Sequence, residues 1–463
     1  GKMNRPRIML AAGGSGSGKT LITCGILQAL LERGLKPASF KCGPDYIDPM
    51  FHSRVLGTKS RNLDTYFTDE ETTRYLFCRT AQGADLSVME GVMGYYDGLG
   101  GISTRASAYD LARVTDTPVV LIMNCRGMSL SVLAALKGYL EYRKDSRIRG
   151  VIFNQFSQAL YGRIKKLAAP ELGVRSYGFV PVMKDLHLES RHLGLVLPEE
   201  VSGLQENLRK LAGELEQTLD LEGLCELAGS AGEIWGRAPV QEKYLFEHRE
   251  APVIAVARDE AFCFLYEDNL ELLRRMGGRI AYFSPLRDER VPEEADGLLL
   301  CGGYPELHAE ELSGNTSMRE SIRNAIRGGM PCMAECGGFL YLHQELEDME
   351  RTSHPMVGII DGRGYRTEKL GRFGYIGLTP RREQMLGMDS GEIRAHEFHY
   401  YESTACGDAF EARKPVGKRS WNCIQGTDTM IAGFPHLYYY SNPEAAGRFL
   451  LKCAAFGEER RKV

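Results

Sequence analysis

Gly13-Gly14-Ser15-Gly16-Ser17-Gly18-Lys19-Thr20 fits G-x-x-x-x-G-K-[ST], the pattern of a phosphate-binding loop. The flanking residues decide the fold as much as the letters do. Ahead lies Ile8-Met9-Leu10-Ala11-Ala12, an apolar run of the length of a buried parallel strand. Behind, Leu21 to Arg33 is rich in Leu, Ile and Ala and stops at Gly34, as a helix does. Strand, glycine turn and helix are the order such a loop needs. Gly13, Ser15, Gly16 and Gly18 let backbone N–H groups face phosphate oxygens. The helix N-terminus adds a favourable dipole, Lys19 adds charge, and the Thr20 hydroxyl is suited to Mg²⁺. A glycine-rich turn with a chance lysine is the competing reading, and the strand and helix on either side argue against it. The expected ligand is a nucleoside triphosphate.

The same alternation continues outward. Pro37–Cys42, Asp85–Glu90, Pro118–Asn124, Gly150–Asn154 and Tyr177–Val180 read as strands, each followed by a turn signal and helical periodicity. This predicts a parallel sheet with helices on both faces. Leu204 to Gly229 reads as one amphipathic helix. Residues 236–252 carry prolines and charge without periodicity, so they read as a linker between domains at 1–235 and 253–463. A second alternating pattern starts at Val253–Ala257. It runs through a helix near Tyr266–Met276, strands at Arg279–Phe283 and Gly297–Leu300, a helix at Met318–Gly328 and a strand at Pro331–Ala334. Later short strands, Gly374–Thr379, Arg394–Tyr401 and Met430–Phe434, suggest an antiparallel region.

The 463 residues are too many for one ordinary core. A net charge of −4 gives no reason to expect nucleic acid or a bilayer surface as partner. No apolar run approaches the roughly 20 residues that span a membrane. Arg5 to Ala12 resembles a signal peptide superficially, but its apolar core is too short. The 12 cysteines show no C-x-x-C pair, which reads as reduced thiols in a cytoplasmic protein.

Two loops at strand ends carry candidate chemistry in the first half. In Lys41-Cys42-Gly43-Pro44-Asp45-Tyr46-Ile47-Asp48-Pro49, the two carboxylates are suited to Mg²⁺ ligation or water positioning beside a triphosphate. Ordinary turn aspartates are the alternative. Glu90 ends an apolar strand, the usual place for a second Mg²⁺ contact, and Asp97 follows in a glycine-rich loop. Lys41 is suited to neutralising phosphate charge, or is simply solvated.

In the second half, Pro331-Cys332-Met333-Ala334-Glu335-Cys336-Gly337-Gly338 puts Cys336 on a sharp strand-to-helix turn. A helix N-terminus favours thiolate. The Gly337 N–H and one from Gly302-Gly303-Tyr304-Pro305-Glu306 are candidate oxyanion donors. Cys332 reads as core. A nucleophilic cysteine needs a base, and by spacing His436 and His399 compete for that role. His396-Glu397-Phe398-His399 is not the H-E-x-x-H of a zinc helix.

These residues resemble the cobyrinic acid a,c-diamide synthase family. The matching strings are Gly18-Lys19-Thr20, Lys41 through Pro49, Asn62-Leu63-Asp64, Glu90-Gly91-Val92-Met93-Gly94, Arg191-His192-Leu193-Gly194-Leu195, Asp259-Glu260-Ala261-Phe262, Ser284 through Asp288, Gly302 through Glu306, Cys336-Gly337-Gly338 and His396 through His399. The resemblance implies an N-terminal ATP-dependent synthetase domain of the dethiobiotin-synthetase type and a C-terminal α/β glutamine amidotransferase domain of the triad type. It implies Mg²⁺ and ATP, with glutamine and a corrinoid as substrates, and it leaves room for a homodimer. It favours His436 as the base beside Cys336. It places the phosphate-side and substrate-side acids at Asp45, Asp48, Glu90 and Asp97, with Tyr46 and Ile47 on the substrate side. General triad enzymes carry a glutamate two residues after the histidine; here that position is Tyr438, as in the corrinoid branch. Amidation of nickel sirohydrochlorin or hydrogenobyrinate is the nearest alternative. A partition-type ATPase switch is the alternative of another class, and it has no use for the Cys336 turn.

Overall fold

Seven parallel strands form the first sheet, in the order Lys59–Leu63, Pro37–Cys42, Leu86–Glu90, Arg7–Ala12, Val119–Asn124, Ile148–Asn154 and Arg175–Val180. The computed structural model describes residues 3–16, 18–183 and 198–462; Ser17 and the Arg191–Leu195 string lie outside them. Every residue of Arg7–Ala12 is buried, as a central strand covered on both faces must be. Helix Lys19–Glu32 follows, entered through Gly18 at φ 82°. A side-chain carbon on Gly18 would lie 2.5 Å from Asn154 Nδ2, so that glycine serves both turn and packing.

Two differences from the sequence reading have local causes. The stretch read as one helix over 204–229 is two, Pro198–Thr218 and Leu221–Gly229. Asp220 caps the second, its carboxylate accepting from Gly223 N at 2.9 Å. The stretch 394–401 divides into Ile393–Phe398 and Tyr401–Ser403, which belong to different sheets.

The chain folds as two units, Gly1–Ala238 and Pro239–Val463. In the second, parallel strands run in the order Arg279–Phe283, Val253–Ala257, Gly297–Leu300, Cys332–Glu335 and Met430–Gly433, with Gln425–Gly426 antiparallel at one edge. A five-stranded antiparallel sheet brings Ile393–Phe398 beside His436–Leu437. Residues 239–252 hold no helix or strand. They nevertheless pack on this unit: Phe246 is buried, and Leu245 N donates to Met276 O at 3.0 Å. Among the described residues no helix is long and apolar enough to cross a membrane.

Candidate functional site

Each unit gathers polar groups at the C-terminal ends of its parallel strands, where open α/β sheets bind ligands. In the first unit Lys41 and Glu90 end neighbouring strands as register partners. Lys41 Nζ forms an ion pair with the fully buried Glu90 and another, at 3.1 Å, with Asp48. Burial pulls the Lys41 pKa down, but Glu90, Asp48 and Asp45 outweigh it and hold it above the ordinary value. Lys41 is thus a buried cation bound to carboxylates, not a solvated one. Burial pushes Glu90 above the usual carboxylate range against the pull of Lys41. Asp48 goes the other way: burial would raise it, but Lys41 and His52 bring it below.

Thr20 Oγ1 lies 3.3 Å from Glu90 Oε2, while Glu90 Oε1 is buried with no hydrogen-bond partner. A hydroxyl and an unsatisfied carboxylate oxygen side by side fit Mg²⁺, which binds one or two protein oxygens and completes its shell with phosphate and water. Asp45 turns its oxygens to its own loop, accepting from Ile47 N and Asp48 N, each at 3.2 Å. Burial, then the neighbouring Asp48 charge, raises it to about 7. Tyr46 precedes the short helix Ile47–Phe51, which starts with Ile47 half-buried and Asp48 buried. Asp97 is exposed and accepts from Gly94 N at 3.1 Å.

Around the glycine loop, Ser15 and Gly16 are exposed, with Gly16 at φ 75°. Lys19 is buried, its Nζ donating to Met93 O at 3.1 Å. Burial, then Lys41, lowers its pKa to about 8. Two side chains that sequence reading left without a role support these loops. Tyr139 Oη donates to Gly13 O at 3.2 Å, and Asn62 Nδ2 reaches Gly43 O at 2.8 Å and Asp45 O at 2.6 Å. Tyr139 carries no local signal, since it acts across 126 residues of chain, and Asn62 shows only as part of the Asn62-Leu63-Asp64 string.

In the second unit Cys336 sits between strand Cys332–Glu335 and helix Gly337–Tyr341 at φ 46°, ψ −103°, a conformation rare for a non-glycine residue. Cys332 is core, as expected. Cys336 N donates to Gly433 O at 2.8 Å, which ties the turn to the neighbouring strand. Burial, then the Glu306 and Glu397 charges, push its thiol well up, while the Gly337 N–H pulls the other way. A side-chain carbon on Gly337 would lie 3.0 Å from Gly303 N, and one on Gly302 would lie 2.6 Å from His436 Cε1. The glycine loop therefore meets both the cysteine turn and the histidine. Burial, then His396 and His399, lower His436 to about 3, so the ring is neutral. His399 is committed to packing: its ring stacks on Phe434 at 3.8 Å and its Nδ1 donates to Tyr401 O at 2.6 Å.

Curated relatives match along nearly the whole chain. A cobyrinate a,c-diamide synthase of Caldanaerobacter subterraneus subsp. tengcongensis is 38% identical over 97% of this chain and 99% of its own. The chain belongs to the cobyrinate a,c-diamide synthase family. Synthases of that name from Priestia megaterium and Dehalococcoides mccartyi are each 35% identical, covering 99% and 97% of this chain and 99% and 98% of their own. Residues 8–196 match the CobQ/CobB/MinD/ParA nucleotide binding domain, and residues 253–442 match the CobB/CobQ-like glutamine amidotransferase domain. In this member of the synthase family the Lys41–Glu90 cluster falls within the first match and Cys336 and His436 within the second.

Proposed function

We propose that the chain is a glutamine-dependent ligase that amidates the a and c acetate carboxylates of cobyrinate in cobalamin biosynthesis. The observation that carries this reading is the presence, in one chain of the family, of a phosphate loop beside a buried Lys–carboxylate cluster and a strained cysteine turn beside a neutral histidine. ATP binds at Gly13, Ser15, Gly16, Gly18 and Lys19, with Lys41 holding the acidic cluster in place. Thr20 and Glu90, with Asp45 beside them, would hold Mg²⁺, which would draw charge from the γ-phosphate. Tyr46, Ile47, Asp48 and Asp97 face the corrinoid.

A corrinoid carboxylate oxygen attacks the γ-phosphorus, ADP leaves, and an acyl phosphate results. In the second unit His436 takes the Cys336 proton as the sulfur attacks the glutamine amide carbon. Gly303 and Gly337 N–H groups stabilise the oxyanion. His436 returns the proton to the departing ammonia, and water hydrolyses the glutamyl thioester to glutamate. Ammonia displaces phosphate from the acyl phosphate and forms the amide. Two rounds give the diamide. Mass spectrometry of the product from cobyrinate, ATP, Mg²⁺ and glutamine tests the assignment: a diamide supports it. Turnover of nickel sirohydrochlorin with none of cobyrinate contradicts it.

A further inference from the structure

Tyr438 stands two residues after His436, the position at which the resemblance gives general triad enzymes a glutamate. Its side chain is fully buried and packs edge-on against Tyr266 at 5.2 Å. The backbone around it is bound by buried side chains as well as by a neighbouring strand. Leu437 N donates to the Glu335 carboxylate, across 102 residues of sequence. Leu437 O accepts from Asn269 Nδ2 at 2.9 Å, and Tyr439 N donates to Asn269 Oδ1 at 2.8 Å. Tyr438 N donates to Arg394 O at 3.1 Å. Three consecutive N–H groups after His436 are therefore bound by three separate elements, two of them through buried side chains.

The Glu335 bond differs from the others in what it joins. Glu335 immediately precedes Cys336, and Leu437 immediately follows His436. One buried side chain thus ties the residue before the thiol to the residue after the imidazole. Gly302 lies against the His436 ring, since a side-chain carbon there would collide with it.

We infer that Glu335, assisted by Asn269, is the positioning residue that sets His436 against Cys336 in place of a third triad carboxylate. The inference rests on the reading of Cys336 and His436 as glutaminase groups. Glu335 acts through the backbone and touches no substrate, so its role is to accept one N–H, and an amide does that as well as a carboxyl. Burial raises Glu335 to about 8, against the pull of the Leu437 N–H, so the group is mostly a neutral acid at pH 7. Glutamine is then a close mimic in both shape and charge, whereas alanine removes the acceptor.

The test measures steady-state glutaminase kinetics and ammonium-supported amidation in the full chain for Glu335→Ala, Glu335→Gln and Asn269→Ala. A misplaced base costs about 100-fold in rate. The expected result is a fall of about that size in glutaminase kcat for Glu335→Ala and Asn269→Ala, with KM for glutamine and ammonium-supported turnover unchanged. Glu335→Gln retains kcat within about threefold. Two results overturn the inference: Glu335→Ala keeping wild-type kcat, or Glu335→Gln losing as much as Glu335→Ala. The isosteric Gln variant keeps the test decisive if the Ala variant fails to fold. Glutaminase activity that survives Cys336→Ala signals instead that the reading of the site itself is wrong.

Discussion

Replacing Lys41 by methionine probes the first site through its energetics. Lys41 is the cation between Glu90, which is 0% exposed, and Asp48. Removing one partner of a buried pair costs about 3–5 kcal/mol, because a charge is left without compensation. The chain has one escape: Glu90 takes up a proton. From the ordinary glutamate value of 4.5, holding that proton at pH 7 costs about 3.4 kcal/mol at about 1.36 kcal/mol per pH unit. The Glu90 share of the loss in Lys41→Met is thus capped near that figure at pH 7 and falls to about 0.7 kcal/mol at about pH 5. The sign follows from proton counting. The variant's folded state binds a proton that its unfolded state lacks between pH 4.5 and 7, so its stability falls as pH rises. For a unit of this size about 2–4 °C accompanies each kcal/mol, so calorimetry of the first unit's transition should show a drop of about 7–14 °C at pH 7 and about 1–3 °C at pH 5. Adding Glu90→Gln to Lys41→Met should recover most of it. A drop equal at both pH values, or a double variant no better than the single, means that Lys41 does not balance the Glu90 charge.

Three further outcomes are expected. KM for ATP rises with pH above about 8, approaching a decade per pH unit, because Lys19 titrates near 8 and only its charged form binds phosphate; a flat profile to pH 9.5 contradicts this. Gly18→Ala weakens ATP binding at least tenfold, since φ 82° and the 2.5 Å approach to Asn154 leave no room for a side chain; isothermal titration with unchanged affinity counts against the loop geometry. Alkylation of Cys336 by iodoacetamide in the free enzyme speeds up continuously from pH 6 to 9, because its thiol is pushed up and His436 is neutral. A plateau below pH 7 instead reveals a resting thiolate–imidazolium pair.

The legible parts of the sequence were those where one local pattern serves one structural need. Arg7–Ala12, Val253–Ala257 and Gly297–Leu300 are buried throughout, so their apolar runs announce them. Lys59–Leu63 lies at the sheet edge with a single hydrophobic residue, and nothing in its pattern distinguishes it from a loop. The break before Leu221 depends on one capping aspartate inside an otherwise continuous amphipathic pattern. In the sites, the glycine loop and the Cys336 turn are contiguous motifs, so both could be read directly. The Lys41–Glu90 pair spans 49 residues and the Glu335–Leu437 bond 102. Such pairings are set by strand order, which no short window of sequence contains.

Cys336→Ala probes whether one chain joins a glutaminase to an ATP-driven amidation. The wild type and the variant are each given cobyrinate, ATP and Mg²⁺ with either glutamine or ammonium, and the corrinoid product is weighed by mass spectrometry. Diamide is expected from both nitrogen sources in the wild type and from ammonium alone in the variant. Diamide formed from glutamine by Cys336→Ala contradicts this coupling, as does loss of ammonium-supported product from a variant that still binds ATP.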